Sequence, residues 1–359
     1  MKIKLIIKSI CPKPIWNILR KIKQLCTKEK IDVSQKYSFG KLNPHKTFYV
    51  IRTHANNWGV LTTWIMIMPH VIFAKKKKLI PFFDLQNVNE IGMLIDKEDE
   101  GKLNAWNLYF KQPQNEHKLD KILRSKKVII TDCWCPEWSW TEEVLNANLP
   151  IDDNQFSIWR SMYEMCPLNE DIISFANKLK EMLFPKGKKI LAVSYRRSFE
   201  WHHYWRTEST PEGSHLVRGS LSSIVEEIKK ELNDYGYEYF FFTVDDREAL
   251  TVVKEIFGTK CIATERPMPH FFEEGQPIER CDVEKRAVEF GKREKDVYLR
   301  AKEYLADVYL CSQCDSFLSC GSSADFMAYL INNKKYEHFV QIKGEGDTKT
   351  HGDAAEKKS

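Results

Sequence analysis

From Lys189 onward, short apolar runs alternate with amphipathic stretches of helical period, and this alternation is the strongest constraint the sequence places on its fold. The predicted strands are Lys189–Tyr195, Tyr239–Val244, Lys260–Ala263, Ser316–Ser319 and His338–Ile342. Between them lie predicted helices at Leu221–Leu232, Arg247–Phe257, Asp296–Leu310 and Ser323–Ile331; the first carries Leu221, Ile224, Ile228 and Leu232 on one face. Strands joined by helices of this length are crossover units, so the expected product is a parallel sheet covered on both faces.

The preceding half is built on the same plan. Thr47–Arg52 reads as a strand, Asn56-Asn57-Trp58-Gly59 as a turn, Val60–Lys78 as a helix closed by Lys75 to Lys78, and Leu79–Leu85 as a second strand. Lysines in a last turn complement the negative end of the helix dipole, so this run is a helix terminus and not a nucleic-acid patch. Asn104–Phe110 is a short aromatic-rich helix, Lys127–Asp132 a buried strand and Asn169–Leu183 an amphipathic helix. Phe184-Pro185-Lys186-Gly187 breaks the pattern. The expected organisation is a leader (1–36), a first α/β domain (37–186), a second (187–343) and a polar tail without periodicity (344–359). Two such α/β domains back to back leave a cleft between them.

Charge separates the leader from the body. Residues 1–36 hold ten of the 55 basic residues and two of the 50 acids, leaving a body with 45 basic residues against 48 acids. Within the leader, Ile15, Ile18, Leu19, Ile22 and Cys26 repeat at helical spacing opposite Arg20, Lys21 and Gln24. That is the pattern of a basic amphipathic helix lying on an anionic membrane surface; a solvated leader, or a helix docked on the body, is the other reading. Leu5-Ile6-Ile7 is too short for a signal peptide, and Gly59–Ala74 is too short to span a bilayer and contains Pro69 and His70. Ten cysteines, several inside apolar runs of a long chain, fit a reduced cytoplasmic setting better than a disulfide scaffold.

The motifs that would carry other chemistries are missing. There is no dinucleotide fingerprint after the first strand of either half and no phosphate loop. Cys311 and Cys314 have half-site spacing for zinc, with Cys133 and Cys135 far away in sequence, so the sequence predicts no metal site. What remains is a row of polar residues at predicted strand ends, where open parallel sheets bind ligands. These are Arg196-Arg197-Ser198, Asp245-Asp246 and Gly321-Ser322-Ser323. Arginine offers a fixed fork of donors to phosphate oxygens, a helix N-terminus adds free N–H groups, and a carboxylate accepts from ribose or a base. Together they describe a nucleoside diphosphate pocket. Taken singly, Arg196-Arg197 with Asp245-Asp246 reads better as a surface ion pair and Ser322-Ser323 as a helix cap; it is the convergence of three strand ends that favours the pocket.

These residues also carry a family resemblance. Arg196-Arg197-Ser198 resembles the His-x-Arg-Arg-Thr-Asp turn of the α1,6-fucosyltransferases, Thr243-Val244-Asp245-Asp246 their Ala-Thr-Asp-Asp strand end, and Leu318 to Ser323 their Ser-Ser phosphate turn. In the first half, Gly59 with its helix, Ile80-Pro81-Phe82-Phe83-Asp84 and Asn104 to Phe110 are similar to the acceptor half of bacterial relatives. The departures are Ser194 in place of the histidine and Phe199 followed by Glu200 in place of the aspartate. The resemblance implies a GT-B-like α/β fold of two Rossmann-like domains facing a central cleft, a GDP-sugar donor, inversion at the anomeric carbon and neither metal nor cofactor.

An inverting transfer needs a leaving-group stabiliser and a general base. Arg196, with Ser322 and Ser323, is the expected stabiliser; Arg197, Ser198, His215, Asp245 and Asp246 are further donor contacts; the loop after the clamp offers Glu200, Glu208 and Glu212 as bases, with Glu200, nearest the clamp, preferred. His215 reads equally as a loop or cap hydrogen-bonding residue. Asn57, Trp58, Asp84, Asn104 and Trp106 are the candidate contacts to an acceptor, a glycan or a lipid-linked saccharide, with packing of a short helix the alternative for Asn104 and Trp106. The expected role is surface polysaccharide assembly, in the cytoplasm or on the inner membrane face. Two other readings stay open: a transferase using a UDP or CMP sugar, and a carbohydrate-binding relative without activity, for which Phe199 is the motive.

Overall fold

The computed structural model describes residues 36–52, 59–86, 99, 101–114, 116–131, 149–196, 220–266, 268 and 297–342. The basic leader before residue 36 and the tail after 342 lie outside them.

Two sheets form the frame. The first contains β1 (Lys36–Tyr37), β2 (Phe48–Ile51), β3 (Ile80–Phe83) and β4 (Val128–Thr131) in the order β1-β4-β2-β3. β2 runs parallel to both β3 and β4, and the two-residue β1 is antiparallel at the edge. The second contains β5 (Ile190–Tyr195), β6 (Tyr239–Val244), β7 (Cys261–Ile262), β8 (Ser316–Ser319) and β9 (His338–Gln341) in the order β7-β6-β5-β8-β9, parallel throughout. In this sheet the chain steps outward from β5 through β6 to β7, then returns to the other side through β8 and β9. The direction reverses between β5 and β8, which is where a doubly wound sheet opens a crevice at its carboxyl ends. The first sheet reverses in the same manner, between β2 and β4.

The helices are α1 (Val60–Ile67), α2 (Pro69–Lys76), α3 (Ala105–Tyr109), α4 (Leu119–Ile122), α5 (Asp153–Met165), α6 (Glu170–Leu183), α7 (Leu221–Tyr235), α8 (Arg247–Phe257), α9 (Val297–Ser312) and α10 (Ser323–Asn332). The sequence predicts one helix over Val60–Lys78; the structure divides it at Met68, because Pro69 has no N–H to continue the ladder and instead takes the first position of α2. Lys75 and Lys76 do close that helix. α5 is a further helix, begun by Asp152, whose carboxylate accepts from the amides of Asn154 and Gln155.

Aromatic packing joins the two halves. Trp64 of α1 lies 6.1 Å from Trp159 of α5, which stands edge-on to Phe326 of α10 at 5.4 Å; all three rings are buried. Arg160 of α5 donates to the Leu330 carbonyl of α10 at 2.6 Å, and α6 packs along α9. Thus α5 and α6, which precede the break at Phe184–Gly187, pack on the helices of the second sheet. Thr62 of α1 and Ser323, the first residue of α10, share a 3.1 Å hydroxyl contact, which brings the N-terminal ends of these helices together.

Candidate functional site

The apolar runs of β5 and β6 end abruptly in charge, and the parallel register places those ends side by side: Tyr195 pairs with Val244, so the next residues, Arg196 and Asp245, are neighbours. Arg196 Nε donates to Asp245 Oδ2 at 2.9 Å, with the guanidinium side chain one-third exposed. Burial works against the charge on Arg196, but Asp245, with Tyr304 and Cys320 near it, outweighs that cost and holds its pKa above the ordinary arginine value. Asp246 turns away from the crevice. It is fully buried, and its carboxylate caps α8 by accepting the amide of Ala249 at 2.9 Å.

Beyond β8 the chain reaches α10 through Gly321, whose φ of +73° is a left-handed conformation that glycine adopts without steric cost. The turn is held by Ser319 Oγ, which accepts from Gly321 N at 2.9 Å. Ser322 and Asp325 form a reciprocal capping box: the Ser322 hydroxyl accepts from Asp325 N, and Asp325 Oδ2 accepts from Ser322 N at 2.9 Å. The same Oδ2 also accepts from Ser319 Oγ at 3.0 Å, whereas the buried Oδ1 has no hydrogen-bond partner among the described residues. The Ser322 hydroxyl is therefore used within the cap and that of Ser323 faces Thr62, leaving, among the described residues, the amides of Ser323 and Ala324 as the donors this helix end offers a ligand.

A cavity of about 210 Å³ lies at this junction, bounded by Arg196, Asp245, Ala324, Asp325 and the N-terminal Gly59 of α1. Ligand clefts usually run to roughly 300–1,000 Å³, so this volume suits a diphosphate or a base, not a whole nucleotide. Arg266 and Tyr304 complete the wall, with Asp307 holding Arg266 from behind, in a way the sequence does not reveal. Arg266 Nε donates to Asp307 Oδ2 at 2.7 Å and its Nη2 to the Val244 carbonyl at 2.7 Å, while Thr264 Oγ1 donates to Asp307 Oδ1 at 2.7 Å. Both charged side chains are largely buried, 12% and 2% exposed. The one sequence signal was Asp307 itself, an acid among Leu305, Ala306 and Val308 on a buried helix; its partner 41 residues earlier carried none.

The first sheet repeats the arginine–aspartate arrangement. Arg52 directly follows β2, Asp84 directly follows the adjacent parallel β3, and Arg52 Nε donates to Asp84 Oδ2 at 2.7 Å. Asp84 is buried, its Oδ1 lacks a hydrogen-bond partner among the described residues, and the Arg52 side chain is 41% exposed. Each sheet thus presents an oriented guanidinium at the carboxyl end of its first long strand. Asp84 was expected from the sequence; Arg52 was not, although its position after the strand matches that of Arg196.

Of the other sequence-derived acceptor residues that are described, Trp106 is structural, whereas Asn104 makes structural bonds and also lines a concavity along β3. Trp106 is wholly buried, stacks near Phe83 at 4.2 Å and donates Nε1 to the Lys111 carbonyl, so it presents no surface to a ligand. Asn104 caps α3 and brackets the edge of β3, accepting from Leu85 N and donating to the Phe83 carbonyl. Asn57, Trp58, Arg197, Ser198, Glu200, Glu208, Glu212 and His215 lie outside the described residues. Cys311 and Cys314 are buried, burial pushes both thiols up, and among the described residues no group of three or more His, Cys, Asp or Glu is placed to hold a metal. No described helix is long and apolar enough to cross a membrane.

The candidate site is thus a crevice at the switch point of a doubly wound α/β sheet, lined by Arg196 and Arg266 and by the carboxylates of Asp245 and Asp325. No family model matches the chain, and no curated protein matches it in sequence. Among solved structures, it is similar to NodZ α-1,6-fucosyltransferase co-crystallised with GDP, at 13% identity and a TM-score of 0.43 over 80% of this chain and 93% of that one. Fucosyltransferase NodZ from Bradyrhizobium gives 14% identity and a TM-score of 0.44 over the same shares. POFUT1 in complex with GDP gives 12% and 0.43 over 85% of this chain and all of that one. Likeness this distant assigns no activity.

Proposed function

We propose that this chain is an inverting glycosyltransferase of GT-B-like architecture that takes a sugar, fucose in the first instance, from a GDP-sugar to a glycan or lipid-linked saccharide in surface polysaccharide synthesis. The observation that carries the reading is the Arg196 guanidinium, oriented by Asp245 at the crevice between β5 and β8 and facing the first turn of α10 across the cavity. A fixed cation and backbone N–H groups at one point are what a departing diphosphate needs.

In the proposed reaction the acceptor hydroxyl attacks the anomeric carbon from the side opposite the diphosphate. The bond from that carbon to the β-phosphate oxygen breaks, its electron pair stays on the oxygen, and Arg196 compensates the new charge. The hydroxyl proton passes to a carboxylate, for which Glu200 and Glu212 are the candidates. Arg197, Ser198 and His215 are further donor contacts, and Asn57 and Trp58 acceptor contacts, in this proposal. Arg196 supplies the charge compensation, so the proposal assigns no metal and no cofactor. The leader 1–36 would seat the enzyme on the inner membrane face. Arg196→Ala should slow hydrolysis or transfer from GDP-fucose by about 10²–10³-fold, as loss of a preorganised donor does elsewhere. Turnover within a few fold of wild type would remove Arg196 from the mechanism.

A further inference from the structure

A second concavity, of about 810 Å³, opens along the edge of β3 and shares no lining residue with the crevice at β5 and β8. Its volume lies within the roughly 300–1,000 Å³ of ligand-binding clefts. Phe82 and Phe110 are buried beneath it, and its walls come from the segments flanking α3 and the start of α4.

The lining has a marked chemical bias. Lys102, Lys111 and Lys118 contribute to it, and among the described residues no carboxylate does. Lys111 is paired with Glu170 at 2.5 Å, but Lys102 and Lys118 are exposed and meet no acid among the described residues. Concave walls carrying one sign of charge focus the field on whatever enters.

Carboxamides supply the rest. Gln112 is spent on the edge of β3, where it accepts from Phe83 N and donates to the Phe83 carbonyl, and Gln114 closes a turn with His117. Asn107 uses its Oδ1 for Gln112, and Asn169 uses its Nδ2 for the Asn107 carbonyl. That leaves the Asn107 Nδ2, the Asn169 Oδ1 and the Gln86 amide unengaged among the described residues. Free donors and acceptors together match hydroxyl groups, which both donate and accept, and the unpaired lysines match an anion. Phe82 and Gln86 flank Asp84 in sequence, so the groove runs up to the strand end that holds the Arg52–Asp84 pair.

We propose that this groove binds an acidic saccharide, one bearing carboxylate or phosphate groups, and that this saccharide is the acceptor; the word acceptor rests on the glycosyltransferase reading, whereas the binding does not. Calorimetry on the full chain with trigalacturonate, glucose 1-phosphate and neutral maltotriose tests it. At least one anionic probe should bind about tenfold more tightly than maltotriose, with an affinity that falls as salt screens the lysines. The double variant Lys102→Gln/Lys118→Gln should weaken that binding by about tenfold while leaving GDP binding unchanged. A response to trigalacturonate alone identifies a uronate, and a response to glucose 1-phosphate alone a phosphate. The proposal is overturned if neither anion is preferred over maltotriose, or if the double variant binds as the wild type does. Absence of GDP binding with the saccharide still bound would sink the transferase reading and leave the groove.

Discussion

Asp307→Asn is a demanding test of how the crevice is held together. The substitution keeps the size of the side chain and its bond to Thr264 but removes the charge that Arg266 faces at 2.7 Å. The Arg266 side chain is only 12% exposed, so its charge would be left with little solvent. Removing one partner of a buried pair costs roughly 3–5 kcal/mol. Arg266 keeps its bond to the Val244 carbonyl and a place 6.0 Å from the Tyr304 ring, so about 3 kcal/mol, the lower end of that range, is expected. Arg266→Met alone should cost as much or more, because Asp307 would then be a buried charge without a cation. The double variant should recover much of the loss, giving a coupling of about 2 kcal/mol by a double-mutant cycle of urea midpoints. Single-variant costs under about 1 kcal/mol, or strict additivity, would show that the pair does not hold the wall and refute the reasoning.

Two other substitution or labelling experiments follow from the geometry. Arg52→Gln leaves Asp84 buried without its cation; because Arg52 is 41% exposed the cost should be only about 1–2 kcal/mol, with acceptor KM raised and donor hydrolysis unchanged. Equal loss in both reactions would make Arg52 a structural residue. Burial pushes the Cys261 thiol up to about 12 and also raises those of Cys166, Cys311 and Cys314 well above the ordinary thiol range. At pH 8 the thiolate fraction of Cys261 is then about 10⁻⁴, so peptide mapping should find these four unalkylated in the native protein and modified after unfolding.

The second sheet is legible because each of its longer strands is an apolar run that stops at a charged or hydroxylated residue, and the helices between carry clear caps. Arg196 and Asp245 follow from that punctuation, and their pairing from parallel register. Asp246 shows the limit of the same logic: two adjacent acids at a strand end read alike, yet one faces the crevice and the other caps a helix. Trp106 and Asn104 read either as ligand contacts or as packing of a short helix; β3 is an edge strand whose open backbone needs cover, which Asn104 and Gln112 supply while Trp106 packs on Phe83. Sequence reasoning misses α5, although Phe156, Trp159 and Tyr163 have helical spacing, because its polar residues dilute the stripe. The Arg266–Asp307 pair joins two segments that no local pattern connects, and only the fold brings them together.

The most direct measurement is the thermal stability of the full chain with GDP, UDP and CMP, for the wild type and for Arg196→Ala. A nucleotide at 100 times its Kd stabilises by about 2.7 kcal/mol through mass action. GDP should raise the melting temperature of the wild type, UDP and CMP should not, and Arg196→Ala should lose the GDP effect. No shift with GDP, an equal shift with UDP or CMP, or a GDP shift that survives Arg196→Ala would contradict the account.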